Sequence, residues 1–133
     1  PPYTMREISI ATKQCFARAA AEALPVFYQC GVVVPLEKIR AGRYTEAALA
    51  FLPMERAGQE SCVRRLPAGR RACIYHVGDY LSVGRSYEKL LAWCGEQGLR
   101  VCSDSYEFCI NDYLTTHDES EYITKIAFYV EQT

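Results

Sequence analysis

The sequence is marked first by what it lacks. No apolar run approaches the roughly 18 residues that a membrane span requires; the longest, residues 30–34 and 47–52, are short, so no helical span is expected within these residues. No glycine-rich phosphate cradle is present, because Gly42, Gly58 and the other glycines are scattered singly. There is no low-complexity segment and no linker long enough to separate a pair of domains. A secretory leader is missing too, and a start at Pro1-Pro2 without Met reads as a piece of a longer product. The seven cysteines, Cys15, Cys30, Cys62, Cys73, Cys94, Cys102 and Cys109, contain no C-x-x-C pair and are odd in number. They read as small buried hydrophobes of a reducing compartment. Cys73 and His76 form the one C-x-x-H pair, but in a strand that spacing puts them on opposite faces, which argues against zinc. A disulfide between Cys62 and Cys73 across a turn at Pro67 and Ala68 is disfavoured, since Pro at the first turn position does not suit the primed hairpin turns.

Excess charge of one sign is absent as well: 15 Lys and Arg face 16 Asp and Glu, a net charge of -1. Such a chain lacks the clustered basicity with which nucleic-acid modules hold phosphates, and is not expected to bind DNA by itself. What is there suits one globular domain over residues 1–133, with half the residues hydrophobic. The balance hides an asymmetry. Residues 1–66 carry nine basic and six acidic side chains, whereas residues 67–133 carry six basic and ten acidic ones. Seven of the ten tyrosines, Tyr75, Tyr80, Tyr87, Tyr106, Tyr113, Tyr122 and Tyr129, lie in the acidic half. Tyrosines and acids together are either ordinary strand residues beside a solvated surface or a site for something cationic and aromatic.

In that second half Val83, Tyr87, Leu90, Leu91 and Cys94 recur at the helical period. Gly98 supplies the helix stop and Asp79 or Ser82 the cap. Trp93 lies off the stripe's centre, where its indole would reach a neighbouring surface or a cavity rim. Strand-like runs flank the helix at residues 71–77, 99–102, 106–111 and 122–131, with Tyr122, Thr124, Ile126, Phe128 and Val130 on one face of the last. In the first half, residues 5–11, 16–20, 47–52 and 61–66 are read as strands, and residues 36–40 as a helical fragment after Pro35. Two strand-helix-strand-strand modules, about 1–66 and 67–133, would then repeat, the first with a shortened or irregular helix.

The stretch Ser103-Asp104-Ser105-Tyr106-Glu107-Phe108-Cys109-Ile110-Asn111 sets a carboxylate inside an apolar strand, with Glu107, Cys109 and Asn111 on one face. On a solvated face Glu107 would be unremarked. On the wall of a cavity it suffers several kcal/mol of desolvation unless paired, and a soft cation would relieve that penalty. Tyrosine walls would add roughly 0.5–2 kcal/mol for each cation–aromatic contact. The acidic run Asp118, Glu119 and Glu121 reads as solvated, the doublets Arg64-Arg65 and Arg70-Arg71 as solvated or as a docking face for a missing domain, and His117 has no acid at catalytic spacing.

The run from Arg71 to Tyr80, the helix from Tyr87 to Cys94, Gly98-Leu99 and the Ser-Asp-x-Tyr-Glu segment ending at Glu107 together resemble the GyrI-like small-molecule-binding domain. The similarity is greatest to the effector-binding domains of BmrR-type, MerR-family multidrug regulators and runs over residues 68–131. It implies an α+β fold of two pseudo-repeated strand-helix-strand-strand modules, whose antiparallel sheet and helices enclose a pocket for lipophilic cations such as dyes and quaternary ammonium drugs. By that resemblance Glu107 is the buried counter-charge, Tyr122 the stacking wall and Cys109 an apolar wall position. The family's second acid falls at Ser120 and two aromatic positions at Gly78 and Val83, so Tyr75, Tyr80 or Trp93 are left to substitute. The same resemblance implies a cytoplasmic, non-catalytic ligand sensor of a transcription regulator, with no cofactor or metal. DNA contact, and any homodimer, would come through a region absent from this chain. The alternative within the family is a hydrolase of electrophilic small molecules with Glu107 as general base; a topoisomerase-binding antagonist is a third class.

Overall fold

Residues 5–11 and 16–20 are expected as two strands, yet the segment is one helix, α1 (Met5–Ala21). The buried Thr12 and the half-buried Ile8 and Cys15 fall four and three residues apart, whereas Arg6, Lys13 and Gln14 are exposed. That is the helical period, and Ala17, Ala19, Ala20 and Ala21 add the strongest helix propensity of any residue. The computed structural model describes residues 5–21, 30–53, 66–111 and 118–133. Of the strand expected at residues 61–66, all but Leu66 lies outside these, and Leu66 is exposed and not in a strand. Cys62, Arg64, Arg65, Tyr113 and His117 also lie outside them.

After α1 come β1 (Gly31–Val34), α2 (Leu36–Arg40), β2 (Leu49–Phe51) and β3 (Arg71–Val77). A 3-10 turn (Tyr80–Ser82) leads into α3 (Gly84–Glu96), β4 (Leu99–Val101) and β5 (Ser105–Asn111) follow, and a second 3-10 turn (Glu119–Glu121) precedes β6 (Ile123–Gln132). The class is α+β. All pairings among the six strands are antiparallel, in the order β2-β1-β5-β6-β3, and β4 joins the far end of β6. β1 pairs with β5, so the two halves of the chain share one sheet.

The second half follows its periodicity closely. Val83, Tyr87, Leu90 and Cys94 are buried against Ala72, Leu99, Ile126, Phe128 and Val130. Gly98, at φ +68, supplies the left-handed residue that stops α3. Of the two expected caps Asp79 acts, but on the 3-10 turn: its Oδ1 accepts from the Ser82 amide at 3.1 Å, and α3 itself begins behind Val83 without a side-chain cap. The expected strand at 47–52 shortens to three residues. β1 is buried throughout, and its Gly31 is required by packing: a Cβ there would lie 2.3 Å from Phe51 Cζ and 2.4 Å from the Glu107 carbonyl oxygen. The Phe51 ring crosses over it to meet Phe108 edge-on at 5.3 Å.

Candidate functional site

β5 alternates its side chains between two faces, and on one of them Ser105 and Glu107 are completely buried. Glu107 stands opposite Val32 on β1 and Ile126 on β6, in the middle of the sheet beneath α3. From α3, Tyr87 reaches down to it. With one hydroxyl proton to give, Tyr87 donates to Glu107 Oε2, and its oxygen lies 2.8 Å from Ser105 Oγ, whose own hydroxyl extends the chain. Tyr80 approaches from the 3-10 turn. Its hydroxyl and Glu107 Oε1 are both buried and close enough for each to shift the other's titration, yet neither makes a well-formed hydrogen bond.

These contacts set the electrostatics. Burial raises the Glu107 carboxyl from 4.5 to about 7, against the opposing pull of the Tyr87 and Tyr80 hydroxyls. Burial, and then the neighbouring Glu107 charge, hold both tyrosines well above 10, so they stay neutral donors. The result is a carboxyl poised between its two forms at neutral pH, half satisfied by Tyr87.

Not all residues expected at this site are brought to it. Glu107 and Tyr80 meet. Cys109 is half-buried and follows Glu107 on the same face of β5. Tyr122, half-buried, precedes β6, and its carbonyl accepts from the Gly78 amide at 2.8 Å. Tyr75 and Trp93 are not brought in. Ile74 pairs with Ile126, itself opposite Glu107, so Tyr75 belongs to the other face of β3 and is 57% exposed. Trp93 lies on the outer side of α3 at 48% exposure. The three positions where the family pattern is broken also find reasons. Gly78 has φ +124, a conformation that side chains resist; Val83 is fully buried in the core; Ser120 is exposed and bonded to Asp118.

Tyr87 and Ser105 were hidden from sequence reasoning, the first as one member of a core stripe, the second as a strand serine. Ser103 and Asp104 do scaffold work. Asp104 Oδ1 accepts from the Leu36 amide at 2.8 Å and so caps α2, while Ser103 Oγ accepts from the Tyr129 amide at 2.9 Å. His76 was missed as well. It is buried, with Nδ1 2.7 Å from Ser86 Oγ, and with Nε2 2.9 Å from Ser82 Oγ and 3.1 Å from the Asp79 carbonyl oxygen. Cys73, its only conceivable metal partner in sequence, is exposed on the opposite face. His76 thereby ties β3 to the turn that carries Tyr80 and to the helix that carries Tyr87. His76→Ala should lower stability by about 2 kcal/mol, because it removes a buried ring and its hydrogen bonds to Ser82, Ser86 and the Asp79 carbonyl; a urea midpoint unchanged from wild type would refute that role.

Above Tyr87 lies Tyr44, from the turn after α2, with ring centroids 4.7 Å apart and planes within 9°. Tyr44 also lines an open groove of about 700 Å³ with Arg43, Glu46, Leu81, Arg85 and Glu88. Tyr44 and Tyr87 thus stand between this groove and the carboxyl. No helix among the described residues is long and apolar enough to cross a membrane.

The sequence profile of the GyrI-like small molecule binding domain matches residues 5–131. No curated protein sequence matches. Among solved structures, the crystal structure of the EcmrR C-terminal domain superposes with a TM-score of 0.76 at 19% identity, over 99% of this chain and 86% of that one. The cryo-EM structure of an EcmrR–DNA complex gives a TM-score of 0.69 at 20% identity, over 89% of this chain. The match spans 46% of the EcmrR chain in that complex, so this chain corresponds to about half of it. At such identities the likeness is one of fold.

Proposed function

The chain belongs to the GyrI-like family of small-molecule-binding domains, and from that premise we propose that it is the cation-sensing domain of a BmrR-type, MerR-family transcription regulator. The observation that supports this reading most is the buried carboxyl oxygen Glu107 Oε1, which, like the buried Tyr80 hydroxyl beside it, lacks a well-formed hydrogen bond. Buried polar groups are rarely left so, and a ligand that supplies charge or a donor there recovers what their desolvation cost. A positive group is the partner a carboxylate selects. The aromatic surroundings, Tyr80 and Tyr87, with Tyr122 just before β6 as the stacking wall that the family resemblance assigns, favour a flat and lipophilic one. Cys109 contributes soft apolar wall. Because Glu107 is fully buried, entry requires a wall to yield. Tyr44 is that wall: an aromatic ligand taking its place exchanges one stack on Tyr87 for another. The protein as a whole would be cytoplasmic, and DNA contact would fall to a region outside this chain, as the EcmrR complex suggests by analogy of fold.

The test is a fluorescence titration with a rhodamine-type cationic dye and a neutral dye of the same ring system. Preference for the cation is the expected result; equal affinity would remove the counter-charge from the reading. The raised pKa of Glu107 is also what a general base needs. Turnover of an epoxide or a strained cyclic ester, abolished in Glu107→Gln, would establish the hydrolase instead.

A further inference from the structure

β1 and β5 run antiparallel, with Gly31 opposite Phe108 and Val32 opposite Glu107. One step beyond, Cys30 stands opposite Cys109, and the Cys109 amide donates to the Cys30 carbonyl at 2.8 Å. Alternation places both side chains on the face that carries Val32 and Glu107. Both are thiols, Cys30 buried and Cys109 half-buried. Directly opposed residues linked by a ladder hydrogen bond have Cα atoms about 5.5 Å apart, within the roughly 4.4–6.8 Å that a disulfide spans. Among the described cysteines no other two face each other across paired strands: Cys15 and Cys94 are on helices, Cys73 is on the opposite face of β3, and Cys102 follows β4.

We propose that Cys30 and Cys109 are a redox-active dithiol in the wall of the Glu107 site, converted by a hydroperoxide to a reversible cross-strand disulfide. One thiolate attacks the peroxide, the O–O bond breaks, and a sulfenic acid and an alcohol (or water) result. The second thiolate then attacks that sulfur and expels water. In balance, two thiols and one hydroperoxide give one disulfide, one alcohol and one water. The bridge draws the Cβ atoms from roughly 5 Å to roughly 3.8 Å. That narrows the sheet wall beside Glu107, and the cation site should bind less well when oxidised. This last step rests on the cation-site reading; disulfide formation does not.

The experiment treats the full chain with hydrogen peroxide, maps its peptides without reduction, and titrates a rhodamine-type dye before and after treatment. Expected are a linked peptide joining Cys30 to Cys109, its reversal by dithiothreitol, and dye affinity lowered about five-fold and restored on reduction. Cys30→Ser and Cys109→Ser, each shown folded by circular dichroism, should lose both effects. Sulfenic or sulfinic products on exposed Cys73 and Cys102 without the linked peptide would overturn the dithiol. A linked peptide with unchanged dye affinity would overturn its coupling to the site. If reduced protein binds no cation at all, the site reading fails while the peptide map still decides the disulfide.

Discussion

Glu107→Gln should weaken the binding of a lipophilic cation by roughly 30-fold or more, the effect of removing one member of a desolvated charge pair. The substitution preserves shape and leaves Tyr87 an acceptor for its hydroxyl, so packing is not what is being tested. The wild-type response to pH supplies an internal control. Because the carboxyl titrates at about 7, binding a cation below that pH requires a proton to leave. Affinity should therefore rise about tenfold per pH unit below neutrality and level off above it. The Gln variant has nothing to titrate there, and its weak affinity should be flat. A fluorescence titration of both proteins across this range reads both effects. Affinities within twofold of each other at alkaline pH would exclude Glu107 as the counter-charge.

The second large effect concerns stability without ligand. Burial lifts the Glu107 carboxyl from 4.5 to about 7 on folding, so the folded chain holds this proton more tightly than the unfolded one. For an acid raised in this way the sign is the reverse of the familiar salt-bridged carboxylate. Its stabilising contribution is complete below about pH 4.5 and is lost as the pH climbs through about 7, in all about 3 kcal/mol at roughly 1.4 kcal/mol per unit. Urea unfolding of wild type and Glu107→Gln across that window isolates the term, since most other groups cancel between the two. Wild type should lose about 3 kcal/mol relative to the variant from acid to mildly alkaline pH. A constant difference would mean that the carboxyl is solvated. Saturating cation should erase the deficit by binding only the folded, ionised form.

How much of this was legible in advance divides at the middle of the chain. In the second half the helical stripe, the glycine stop and the alternation of β6 were each long enough to fix a period, and Glu107 was conspicuous as a charge in an apolar strand. In the first half Ile8, Ile10 and Thr12 alternate by coincidence over too few residues to tell period 2 from 3.6, and α1 was read as two strands. At the site, the sequence exposes the unusual residue but not its company. Tyr87 has the same spacing whether its hydroxyl ends on a carboxylate or in water, and Ser105 is an ordinary strand serine. Tyr75 and Trp93 failed for the complementary reason: composition counts aromatics, whereas a strand's parity and a helix's azimuth decide which of them face inward. The serine partners of His76 bear no signal in a linear reading, where the residue suggests only a metal ligand.

The interleaved sheet has a consequence in time. β1 at residues 31–34 pairs with β2 across α2 but waits for β5 at 105–108, and β3 at 71–77 waits for β6 at 123–129, while β5 and β6 pair as consecutive strands. The first half cannot complete its layer without β5 from the second, and closures over such separations put folding in the slower, millisecond-to-second class of small proteins. Until they close, Glu107 is an ordinary solvated acid. Near pH 6 the collapse of the sheet around it is then also a protonation event, in which the chain draws nearly one proton from solvent as its last long-range strands meet.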